Sequence, residues 1–74
     1  MDAGELLREA RVRSGMSQRE IAAVLHLTPA GVALAEKRGD RITVRRARDH
    51  LAAMGFELHL MVRRRADARP AEPA

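Results

Sequence analysis

Cysteine, tryptophan and tyrosine are absent from the chain, and there is a single phenylalanine. Without cysteine the chain cannot form a disulfide framework, a thiolate metal site or a thiol redox centre. Fourteen of the 34 residues counted as hydrophobic are alanine. Few large apolar side chains therefore remain to build a core. A core this small is a poor basis for a stable monomer.

The 74 residues are long enough for one domain, and we do not expect a second domain within them. Positive charge dominates, with 14 Lys and Arg against 10 Asp and Glu and a net charge of +4. All but one of these cations are arginine. A small basic chain often needs a polyanion, a partner subunit or both, so these are the partners that the composition favours.

Several classes of protein find no support in the sequence. No apolar run approaches the roughly 20 residues of a membrane-spanning helix, and the first residues lack the basic and apolar regions of a signal peptide, so we expect a cytoplasmic protein without a membrane partner. There is no cysteine nucleophile, no glycine-rich phosphate loop and no serine placed with a histidine and an acid, so we do not expect an enzyme. The three histidines are scattered, and neither a metal nor another cofactor is expected.

Helix start and stop signals predict four helices, at about residues 2–13, 18–26, 29–38 and 44–54. N-capping residues stand at each start, namely Asp2, Ser17, Thr28 and Thr43. A glutamate follows three residues after each of the first two, which is the spacing of a capping box. Glycines follow three of the helices, at Gly15, Gly39 and Gly55. His26, in the turn after the second helix, is expected to adopt a left-handed conformation.

After the fourth helix the hydrophobic period changes to two. Phe56, Leu58, Leu60 and Val62 alternate with other residues, which predicts a strand over residues 56–63. A single strand cannot satisfy its own backbone, so we expect it to pair antiparallel with the same strand of a second copy and to form a homodimer interface through these four side chains. A short fifth helix or an edge strand packed on its own subunit is the alternative. The charged stretch 64–74 is predicted to be a disordered tail.

The second and third predicted helices are joined by a turn of only three residues, which forces them to cross at a steep angle. Around this turn a series of residues agrees in order with a known pattern: Leu7, Arg8, Arg11, Gly15, Met16, Ser17, Gln18, Ile21, Ala22, Leu25, Leu27, Thr28, Val32 and Glu36. On these residues the stretch 7–39 resembles the Cro/phage-repressor type of helix-turn-helix domain, also called Xre-like. More narrowly, four helices followed by the segment GFELHLMV are similar to the repressor subunits of toxin–antitoxin modules whose toxins are kinase-like.

The resemblance implies an all-α, lambda-repressor-like fold in which residues 1–55 form a DNA-binding domain and the third helix lies in the major groove. It places these residues against double-stranded DNA: Gln18, Arg19, Thr28, Pro29, Ala30, Ala33, Leu34, Lys37, Arg38 and Arg41. Gln18 would bond a phosphate or a base edge, and Thr28 would contact the backbone. Arg11 and Glu36 match a structural pair that ties the first helix to the third.

The expected function is that of a sequence-specific transcriptional repressor, which binds a palindromic operator as a homodimer and regulates its own operon. The base-facing positions depart from the family, since Pro29, Ala30, Ala33 and Leu34 offer no hydrogen-bonding side chain. The main alternative is an antitoxin or protein-interaction subunit that binds a toxin kinase, with DNA binding secondary or lost. A nucleoid-associated protein without sequence preference is a third possibility.

Overall fold

A computed structural model describes residues 1–67 and 69–71. Its helices are α1 (Ala3–Ser14), α2 (Gln18–Leu25), α3 (Pro29–Lys37) and α4 (Val44–Ala53), with a short 3-10 turn at Gly39–Arg41. The prediction of an all-helical domain with four helices is confirmed, and the 3-10 turn was not predicted. None of the helices in the described part of the chain is both long and apolar enough to cross a membrane.

The helix starts are fixed by side chains that accept otherwise unpaired backbone N–H groups. Asp2 accepts from the Glu5 amide at 2.8 Å, and the Glu5 side chain accepts from the Asp2 amide in return. Ser17 and Glu20 form the second capping box in the same way. At α3 and α4 a threonine hydroxyl accepts alone. Each such cap stabilises its helix by about 1 kcal/mol.

Left-handed residues end the first two helices and follow the third and the fourth. Gly15 has a φ of 74° after α1, and His26 has a φ of 57° after α2, which confirms the expectation for that histidine. The amide of His26 donates to the carbonyl groups of Ala22 and Ala23, so the turn closes directly onto the last residues of α2. The chain can then begin α3 only three residues later.

Two clusters of buried side chains hold the helices together. The larger joins α1, α3, the turn before α4 and α4 itself, through Leu7, Ala35, Ile42, Ala47 and Leu51. The smaller joins α2 to α3 through Ile21, Ala22 and Val32. The side chain of Met54 packs against both clusters. Because α3 contributes to both clusters, its inner face is fixed from two directions.

A buried histidine in α4 was not foreseen from the sequence. His50 is only 3% exposed and is the one polar residue among the buried residues of the described part of the chain. Burial lowers the pKa of the His50 imidazole below its usual value, since the charged form loses its hydration, although the negative charge of Glu36 opposes this effect. His50 is therefore accommodated best as the neutral imidazole.

The predicted strand is not formed in the single chain. Residues 56–65 follow α4 without helix or strand, and neither a fifth helix nor an edge strand replaces it in the described residues. Leu58 packs partly against the larger cluster, whereas Phe56, Leu60 and Val62 are exposed, Val62 by 99%. The physical reason is that one chain supplies no second strand for the backbone to pair with.

The predicted tail at 64–74 is only partly described. Residues 64–67 and 69–71 show no helix or strand, with a turn at 66–67. Positions 68 and 72–74 lie outside the described residues, so the prediction is not tested there.

The contact between α1 and the end of α3 depends on a glycine. A Cβ atom added at Gly4 would collide with the Glu36 carbonyl oxygen and would lie 2.8 Å from the Gly39 amide nitrogen. Both neighbours are backbone atoms and cannot rotate away. Gly31, inside α3, has room, because its nearest neighbour would be the Thr28 hydroxyl at 3.4 Å.

We predict opposite effects of the same substitution at these two glycines. Gly4→Ala should lower the free energy of unfolding by about 1–3 kcal/mol through overpacking, although alanine favours helix. Gly31→Ala should raise it by about 0.5–1 kcal/mol, since the helix gains propensity without a clash. Urea unfolding followed by circular dichroism measures both. Stabilisation by Gly4→Ala would contradict the close approach of α1 to α3.

Candidate nucleic-acid interface

Helices α2 and α3 form a compact unit. The amide of Leu27 donates to the Ala22 carbonyl at 2.8 Å, which folds the turn back on α2. The Thr28 hydroxyl then accepts from the Gly31 amide at 3.0 Å and begins α3. Behind the turn, Ile21 and Val32 are almost fully buried against each other's helices. The outer face of α3 is thereby presented to solvent in a fixed position.

The carboxylate of Glu36 ties three helices together. It is bound by the Arg11 guanidinium through two hydrogen bonds, from Nε at 2.7 Å and from Nη2 at 3.2 Å. The remaining Arg11 nitrogen, Nη1, donates to the Met16 carbonyl at 3.2 Å in the turn after α1. The side chains of Arg11 and Glu36 are only 16% and 6% exposed. The predicted contact between these two residues is therefore present and is nearly shielded from water.

This pairing also stabilises the charged form of Arg11, which is protonated at any ordinary pH. The hydrogen bonds to Glu36, aided by its negative charge, raise the pKa of the guanidinium above its already high value, against the opposing effect of partial burial. Bidentate geometry between two charged groups gives the pair direction as well as energy, which suits a contact that fixes one helix against another.

Gln18, the first residue of α2, is also bound to Glu36. Its Nε2 donates to Glu36 Oε1 at 3.3 Å, and the side chain is half-buried. The sequence reasoning assigned Gln18 to DNA and missed this internal contact. A phosphate or base edge would have to bind the second N–H or the amide oxygen of Gln18. The Gln18 side chain would then link the nucleic acid to Glu36.

The outer face of α3 is apolar over its first two turns. Pro29 and Ala30 are exposed, Ala33 is half-exposed and Leu34 is 49% exposed. Four residues separate Ala30 from Leu34, so the two lie above one another on one side of the helix. The structure thus places these four predicted residues together on one surface.

Four predicted cations precede or follow this apolar stretch in the sequence, and all four are exposed in the structure. Lys37 is the last residue of α3 and Arg38 is its C-cap, one turn beyond Ala33 and Leu34. Arg19 lies near the start of α2, and Arg41 lies in the 3-10 turn. Within the described part of the chain none of these four has a carboxylate within salt-bridge distance. Their charges are therefore available to an external anion.

The remaining predicted residues fall into two groups. The Thr28 hydroxyl oxygen accepts a hydrogen bond from the Gly31 amide of α3. The hydroxyl hydrogen can still be donated to a phosphate oxygen. The four residues predicted for the dimer interface lie in the segment after α4 and form no part of the α2–α3 unit. Among the described residues, no three His, Cys, Asp or Glu side chains are grouped so as to hold a metal ion.

We predict that Arg11→Met lowers the free energy of unfolding by about 3–5 kcal/mol, because it leaves the buried Glu36 carboxylate without its counter-charge. The double variant Arg11→Met/Glu36→Gln should recover part of this loss, since no unpaired charge remains. Urea unfolding of the two single variants, the double variant and the wild type gives the coupling energy.

Arg13→Met is the matched control, because it removes the same charge from an exposed pair on the same helix. Arg13 is bound to Glu9 at 2.9 Å on the surface, where such pairs contribute only about 0.5 kcal/mol. Equal losses for Arg11→Met and Arg13→Met would contradict the special role of the buried pair.

The described residues therefore combine a closely packed pair of short helices, an exposed apolar face on the second of them and unpaired cations at the C-terminal end of that helix. Comparison of the chain with protein-family models, with curated proteins and with solved structures gives no match in any of the three.

Proposed function

We propose that the chain is a sequence-specific DNA-binding transcriptional repressor that acts as a homodimer, with α2 and α3 as a helix-turn-helix unit. The observation that supports this most directly is the exposed face of α3, which ends in Lys37 and Arg38 and is fixed from behind by both buried clusters. A major groove admits a helix of this kind, and phosphates on either side of the groove attract cations at its ends.

Electrostatics supplies the affinity in this proposal. The chain has a net charge of +4. Exposed arginines lie near the start of α2 (Arg19), after α3 (Arg38 and Arg41) and at the start of α4 (Arg45 and Arg46). Each phosphate neutralised by a cation releases condensed counterions, so binding weakens steeply as salt rises. Arg45 and Arg46 at the start of α4 are further exposed cations that extend the basic surface beyond the residues predicted for DNA.

Dimerisation would place two copies of α3 on one side of the duplex. The segment after α4 leaves Leu60, Met61 and Val62 largely exposed, although they are apolar. Antiparallel pairing of residues 56–63 across a two-fold axis would satisfy the free backbone groups and cover the alternating apolar face. Two recognition helices about 34 Å apart would then fit a palindromic operator, and occupancy of that operator would block transcription of the chain's own operon.

Protein binding is the second candidate function, and the apolar character of α3 favours it. Leu27 and Leu34 are exposed together with Val24 of α2. An antitoxin-like subunit that covers a toxin kinase could use this surface, with DNA binding secondary or lost.

The DNA proposal predicts binding to the sequence directly upstream of the chain's own gene at least about 10³-fold tighter than to a scrambled duplex. Arg38→Met should reduce the slope of log affinity against log salt by about one, because one phosphate contact is lost. Arg13→Met removes the same charge on α1 and should leave the slope unchanged. Fluorescence anisotropy at several salt concentrations measures all three proteins.

Equal and weak binding to both duplexes would argue against the repressor and in favour of the protein-interaction alternative. Equal slopes for Arg38→Met and wild type would instead show that α3 does not lie with its last turn against the DNA backbone.

The dimer predicts that light scattering at micromolar concentration gives twice the mass of one chain. Leu60→Asp should convert the protein to a monomer without loss of helix content, because Leu60 lies on the face that the partner covers and is already exposed in the single chain. Met61→Asp is the matched control on the opposite strand face and should remain dimeric. A wild-type protein with the mass of a single chain would refute the strand pairing.

A further inference from the structure

We infer that α3 recognises the C5-methyl groups of thymine in the major groove, with Leu34 as the principal contact and Ala30 beside it. This inference rests on the proposed DNA binding and names the chemical feature that the recognition helix reads.

The chemistry of the α3 surface restricts what it can read. The residues that face outward over its first two turns, Pro29, Ala30, Ala33 and Leu34, have no side-chain donor or acceptor. Leu34 is the only large side chain among them and is half-exposed, so its apolar surface is available to a partner. A surface of this composition cannot make the paired hydrogen bonds by which side chains recognise adenine or guanine.

The major groove offers one apolar group among its base edges, the methyl group of thymine. Contact with that methyl removes apolar surface from water on both partners. The same leucine placed against a cytosine amino group or a guanine carbonyl would displace water without replacing its hydrogen bonds. Thymine is therefore the base that Leu34 favours, and the other bases are disfavoured by desolvation.

The small residues at the start of α3 allow the close approach that such a contact requires. Packing inside the protein does not require a glycine at position 31, since a Cβ atom there would make only ordinary van der Waals contacts. The smallness of Ala30 and Gly31 is therefore not explained by internal packing. It is explained if the first turn of α3 must come close to an external surface.

The charges beside Leu34 favour a nucleic acid over an apolar protein surface as the partner. Lys37 and Arg38 lie three and four residues beyond Leu34, so they stand one turn along the same side of the helix. Neither is paired with a carboxylate within the described part of the chain. An apolar centre next to unpaired cations fits a groove whose base edges include methyl groups and whose rims are phosphates.

The test is a cycle that removes the leucine from the protein and the methyl groups from the DNA. A duplex of the sequence directly upstream of the chain's own gene is synthesised twice, with thymine or with deoxyuridine, which differ only in the C5-methyl. Wild type and Leu34→Ala are titrated against both duplexes by fluorescence anisotropy. Thermal unfolding confirms that the variant is folded, and Val12→Ala, an exposed truncation on α1, is the matched control.

We expect wild type and Val12→Ala to bind the thymine duplex more tightly than the uracil duplex, by about fourfold for each methyl group contacted. Leu34→Ala should lose most of this preference, and only the smaller contribution of Ala30 should remain. Equal binding of both duplexes by wild type would overturn the inference and leave the DNA proposal standing. A thymine preference of undiminished size in Leu34→Ala would also overturn it, because the methyl groups would then act through DNA shape. Failure to bind either duplex at low salt would refute the DNA proposal itself.

Discussion

The position of α3 depends on one buried carboxylate. Glu36 lies at the inner side of that helix, 6% exposed, and is bound by Arg11 from α1 and by Gln18 from α2. A charge so far from water would destabilise the fold if it were unpaired. Its hydrogen bonds instead hold three helices in one mutual arrangement. Because the two apolar clusters are small and non-directional, the carboxylate supplies the orientation that they do not.

Close backbone contact reinforces the same arrangement. Gly4 lets α1 approach the carbonyl of Glu36, so the residue that binds Arg11 through its side chain is also packed against α1 through its backbone. The Gly39–Arg41 turn then directs the chain back towards α4, and Ile42 enters the larger cluster. A chain with few large apolar residues thus obtains a defined structure from polar and steric constraints added to a modest core.

The sequence predicted the elements well because their signals are local. Capping boxes at Asp2 and Ser17 fixed two helix starts, and the resemblance implied the pair of Arg11 with Glu36. Contacts that depend on tertiary structure were missed, among them the bond from Gln18 to Glu36 and the burial of His50. The segment 56–63 is a different case, since its alternation predicted a strand and no strand is present there in the single chain. One chain offers this segment no second strand to pair with among the described residues, and pairing with a second copy belongs to the proposal.

Affinity and specificity would depend on different distances in the proposed complex. Phosphate attraction by Lys37 and Arg38 acts over a Debye length of about 8–10 Å, so it tolerates small errors in the position of α3. Contact between Leu34 and a methyl group requires atoms within about 4 Å and weakens sharply when a gap opens. A helix that reads methyl groups must therefore be held more rigidly than one that only binds phosphates. The bidentate Arg11–Glu36 pair, at the opposite side of the same helix, meets that requirement.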